Sequence, residues 1–128
     1  MDKLSRELEF ENRLSFFAMS VIKVCKSVRE TSITKPIINQ LIRSGTSVGA
    51  NYVEANSASS RKDFRNKVFI CKKEIQETNY WLRLLLGCEE KNDQIASVLT
   101  ECHELCLIFQ KIVKTMDQND KINYKIRK

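Results

Sequence analysis

The chain has 128 residues, room for one domain with a single buried core. With only 3 Gly and 1 Pro it has few breaks, which excludes a loop-rich or many-turned β fold and favours long uninterrupted elements. Its 22 Lys and Arg exceed 16 Asp and Glu, for a net charge of +6, which favours an anionic partner over an anionic surface of its own.

The first predicted helix follows Leu14, Phe17, Val21, Val24 and Val28, which advance by threes and fours. Asp2, Glu7, Glu9 and Glu11 precede it, which reads as no secretory leader. No run reaches the apolar length that crosses a bilayer, so a cytoplasmic protein with no membrane partner is expected. Thr31 to Pro36 breaks the pattern, and Pro36 suits the first turn of a second helix. That helix keeps Ile38, Leu41, Gly45, Val48, Tyr52 and Ala55 on one side. Gly45 and Gly49 leave room for another helix to approach closely.

Ser60, with Asp63 three residues on, reads as the N-terminal cap of a third helix. Its seam is Phe64, Val68, Cys71, Ile75, Thr78, Leu82 and Leu85, and Gly87 is placed to end it. Asn92 or Asp93 can cap a fourth helix built on Ile95, Val98, Cys102, Leu105, Phe109, Ile112 and Met116. No pattern of period two competes. Short connections make neighbours antiparallel, which predicts an all-α, up-down-up-down four-helix bundle over residues 1–117. Beyond Met116 the apolar pattern stops, so 118–128 reads as a mobile, basic tail.

Two surfaces stand out from this frame. Phe69, Tyr80 and Leu84 point about 140–200° from the seam of the third helix, where a monomer would leave them wet, which favours a subunit interface over scattered exposure. Ser44, Ser47, Asn51 and Glu54 step along one stripe of the second helix; they fit either a polar network at a subunit interface or a solvated face. Between Arg61 and Lys73 lie six cations and the single acid Asp63. Arg65, Lys72 and Arg83 fall within about 20° of one another on the helix. Arg61, Lys62, Arg65, Lys72, Lys73 and Arg83 are therefore the candidate contacts to nucleic-acid phosphates, with a solvated face as the alternative.

The second helix also carries a resemblance. Gln40 to Ala55, read Gln-Leu-Ile-Arg-Ser-Gly-Thr-Ser-Val-Gly-Ala-Asn-Tyr-Val-Glu-Ala, is similar to the motif Gln-Leu-Arg-Arg-Ala-x-x-Ser-Ile-x-x-Asn-Ile-Ala-Glu-Gly. That motif belongs to the four-helix-bundle proteins encoded in 23S rRNA intervening sequences, which are related to the accessory variability proteins of diversity-generating retroelements. Ser60 to Phe64 and Glu77 to Leu84 match in the same order, and the resemblance runs from about Phe16 to Met116. It implies a bundle assembled with copies of itself into a ring-like homopentamer. For the retroelement branch it further implies contact with RNA or DNA and with a reverse transcriptase. Ser47, Asn51 and Glu54 stand at the motif's Ser, Asn and Glu. Ala55 replaces its usual Gly.

Catalytic and cofactor chemistry finds little footing. Cys102 and Cys106 flank His103 on one helix, but a zinc site needs about four convergent ligands. The 5 cysteines fall mostly on apolar stripes and read as small packed hydrophobes in a reducing compartment. A carboxylate-bridged di-iron bundle needs two Glu-x-x-His elements, and the one His has Thr100 at that spacing. No glycine-rich phosphate loop is present, and the Cys–His pair has no orienting partner. The expectation is a non-catalytic, cofactor-free homo-oligomer that binds nucleic acid nonspecifically. The alternative is a self-assembling protein-interaction scaffold.

Overall fold

Apolar spacing and capping divide the chain into four helices. In the computed structural model, which describes residues 2–89 and 91–127, these are α1 (Lys3–Ser27), α2 (Thr34–Asn56), α3 (Arg61–Cys88) and α4 (Asp93–Arg127). Asp2 caps α1 by accepting from Ser5 N–H at 2.8 Å. At the α1–α2 turn, Thr31 Oγ1 accepts from Thr34 N–H and Thr34 Oγ1 accepts from Thr31 N–H, at 3.1 and 2.8 Å, a reciprocal cap. Ser60 Oγ accepts from Asp63 N–H at 3.0 Å, and Asn92 Oδ1 from Ile95 N–H at 3.1 Å, as their spacing predicts. Gly87 lies inside the last turn of α3, which ends one residue later at Cys88.

Each helix packs on its neighbours in sequence, and α4 returns to α1. The α2–α3 seam is the most extensive and the α1–α4 seam the least. Antiparallel order is visible in the partners: Gly45 faces Val21 while Gly49 faces Leu14, and Arg61 at the start of α3 meets Asp120 near the end of α4. The close approach that the two glycines permit is therefore made by α1 of the same chain. A Cβ on Gly45 would stand 3.1 Å from Val21 Cγ1.

The apolar series line the core. Leu14, Phe17, Val21, Leu41, Val48, Val68, Ile75, Leu82, Leu85, Ile95, Leu105 and Phe109 are sealed from solvent. Tyr52 meets Phe10 and Phe109 edge-on at one end, while Phe10 and Phe109 are tilted to each other, with ring centres 4.9–6.3 Å apart. Cys25, Cys71, Cys102 and Cys106 are buried among these residues and Cys88 is exposed. Burial pushes the Cys71 thiol up to about 12, which keeps it protonated, and both Cys102 and Cys106 donate to the Ile75 carbonyl. Among the described residues, no helix is long and apolar enough to cross a membrane.

The segment expected to be a tail outside the bundle is instead helical. α4 runs without a break to Arg127, and Asp117 and Asp120 tie it to α3. Helix is maintained there by ion pairs to a neighbour and by propagation from the long helix before it, which needs neither a new nucleus nor an apolar stripe. The ends of the expected division, Met1 and Lys128, lie outside the described residues.

Candidate functional site

The outer face of α3 is built by the position of its seam. With Val68, Ile75 and Leu82 buried against the other helices, the opposite side carries Lys62, Arg65, Phe69, Lys72, Lys73, Gln76, Tyr80 and Arg83. These fall within about 100° of one another around the helix, and the run is about 32 Å long. The three acids of α3, Asp63, Glu74 and Glu77, all fall outside this sector.

Two aromatic rings interrupt the cations. Phe69 is 37% and Tyr80 47% exposed, so both present a ring to solvent. Arg65 lies over the Phe69 ring, 5.2 Å from its centre, and Arg83 over the Tyr80 ring at 5.9 Å. Each pair makes a flat surface able to stack, and the Arg83–Tyr80 pair, whose guanidinium enters no ion pair among the described residues, can also meet an anion. Leu84 is also exposed, on the edge of the same face. Among the described residues, Lys62, Lys72 and Lys73 enter no ion pair within the chain.

Two of the expected phosphate contacts are already occupied. Arg61 pairs with Asp120 at 2.9 Å, and Arg65 pairs with both Asp117 and Asp120. Residue spacing within α3 gave no sign of these acids, because they come from α4, where the apolar pattern has stopped. The signal available was Asp117 and Asp120 themselves, three apart and so on adjacent positions of one helix face.

The polar stripe of α2 divides. Ser44 is fully buried and its hydroxyl lies 2.9 Å from that of Thr78, a core pair rather than part of the surface stripe. Asn51 Nδ2 donates to the Ser47 carbonyl and hydroxyl at 2.9 and 3.0 Å, one turn away in the same helix. Glu54 is exposed and pairs with Lys67 at 2.6 Å, which holds that ammonium above its ordinary value. Within the chain, then, Ser47, Asn51 and Glu54 form two local contacts and not one connected network. Arg43 joins α2 to α3 through Glu74, at 3.1 Å, and Glu77.

His103 is exposed, and lines a shallow hollow with Arg83 and Glu104 at the α3–α4 seam. Among the described residues, no group of three or more His, Cys, Asp or Glu is placed to hold a metal ion. What the arrangement offers is a long cationic and aromatic surface.

Comparison with known proteins places these features in a family. Residues 6–111 match the family described as 23S rRNA-intervening sequence protein. Among solved structures, the chain is similar to a protein of unknown function from the S23 ribosomal protein family of Bacteroides thetaiotaomicron VPI-5482. The two share 34% identity with a TM-score of 0.73, over 84% of this chain and 97% of the other. No curated protein matches the chain.

Proposed function

The chain belongs to the family of 23S rRNA-intervening sequence proteins, and from that premise we propose that it is a non-catalytic, self-assembling bundle that binds nucleic acid without reading its sequence. One observation carries the reading: the outer face of α3 interleaves cations with two exposed aromatics and carries no carboxylate of its own helix. Lys62, Lys72, Lys73 and Arg83 neutralise phosphates, while Phe69 and Tyr80 offer rings on which unpaired bases stack. A ring meets every base alike, so the contact is tolerant of sequence.

Assembly is the second part of the proposal. Phe16 is 75% exposed on α1, beside the exposed Leu8 and Met19, on a side that no other helix of the chain covers. Apolar patches of this kind favour a subunit contact, and the family resemblance suggests a ring of five. Repetition of the α3 face around such a ring raises avidity for one long strand.

A second reading, a scaffold with no nucleic-acid role, is favoured by the engagement of Arg61 and Arg65 with Asp117 and Asp120. Fluorescence anisotropy with labelled single-stranded RNA separates the two. The expected result is binding whose logarithmic salt slope is about −3 or steeper, alike for unrelated sequences. Phe69→Ala and Tyr80→Ala should each weaken it by about 1–3 kcal/mol. An absence of binding at low salt leaves the scaffold.

A further inference from the structure

We infer that the outer face of the C-terminal part of α4 is a second phosphate-binding strip, which continues the α3 face along the same strand of nucleic acid. The inference rests on the nucleic-acid reading above. Lys111, Lys114, Lys121 and Lys125 recur along α4 within about 80° of one another, over about 21 Å. All four are exposed and, among the described residues, none enters an ion pair within the chain.

Charge is segregated around this stretch of helix. Asp117 and Asp120 point to α3, where Arg61 and Arg65 hold them, so the outward sector keeps only cations. The acids therefore position the lysines. They fasten a stretch whose apolar residues, Ile122, Tyr124 and Ile126, stay exposed, and they fix its rotation so that the lysines face outward together. Lys121 and Lys125 line the same hollow as Arg65, with Asp117 and Asp120 between them, which sets the α4 strip next to the α3 face.

This part of the chain is also distinct in comparison. The family match ends at residue 111, whereas α4 continues to Arg127, so three of the four lysines lie beyond it. A solvated helix end needs neither lysines confined to one side nor acids confined to the other. Contact with a polyanion explains both. The ligand is the sugar-phosphate backbone, since the sector itself offers only ammonium groups, and Tyr124, which lines the hollow beside Lys121 and Lys125, falls about 60° outside it.

The test compares three full-length proteins on labelled single-stranded RNA across a salt series: wild type, Lys114→Glu/Lys121→Glu/Lys125→Glu, and Lys72→Glu/Lys73→Glu. The α4 variant should bind about tenfold or more weakly, with a salt slope shallower by about two. Lys→Gln at the same three positions should act in the same direction by a smaller factor, and circular dichroism should show unchanged helix in each protein. If the α4 variant binds within about twofold of wild type while the α3 variant is weakened, the strip is only solvated and this inference falls alone. If wild type shows no binding at low salt, the reading beneath it falls as well.

Discussion

Ser44 and Thr78 bring two hydroxyls into the α2–α3 core, and neither is reachable by water. Thr78→Val removes one of them and leaves Ser44 with only a long contact to the Leu41 carbonyl, 3.4 Å away. Urea melts should show a loss of about 1–3 kcal/mol, part of which returns when Ser44→Ala is added. Gly87 behaves in the opposite way. A Cβ there meets nothing within 4 Å and its φ is not positive, so Gly87→Ala should raise stability by about 0.5–1 kcal/mol in the same melts. At this scale the sequence was partly legible. Ser60 and Asn92 were readable as caps because their chemistry acts three residues away. Ser44 was not, because its place depends on Thr78, 34 residues on, and its own spacing fits the surface stripe as well as the core.

Between elements, the thinnest contact is the one between α1 and α4, and a charge cluster closes it. Arg13 holds Glu101 with two hydrogen bonds of 3.0 and 2.7 Å and reaches Glu104 at 3.0 Å. The hydrogen bond from Arg13 keeps the Glu101 carboxyl below its ordinary range. A depressed carboxylate stabilises the fold above its unfolded pKa, and that contribution is lost as pH falls through the folded value. Glu101→Gln should therefore lower Tm at neutral pH, and the difference should disappear between about pH 5 and pH 3. The helices were legible because each apolar series has a single period, and those residues lie buried or half-buried in the bundle. The end of α4 was not, because beyond Met116 it is secured by Asp117 and Asp120 on partners more than 50 residues earlier. The same gap hid the loss of two cations from the α3 face, and with it the division of labour between Arg61 and Arg65 and the lysines that remain open.

For the molecule as a whole, the exposed apolar side of α1 and the cationic face of α3 lie on different helices, so one can be covered while the other stays open. Light scattering coupled to size exclusion should then give about five times the 14.9 kDa chain mass. Phe16→Glu should reduce it toward one chain while the helix content stays unchanged, because Phe16 lies outside the core. The central claim is that α3 presents its outer face to unpaired bases, and ultraviolet crosslinking of single-stranded RNA to the wild-type protein tests it most directly. Peptide mapping should place the crosslinks at Phe69 and Tyr80, the rings exposed beside Arg65 and Arg83, and they should fade as salt is raised. Crosslinks confined to α1 or α2, or none at low salt, would contradict it.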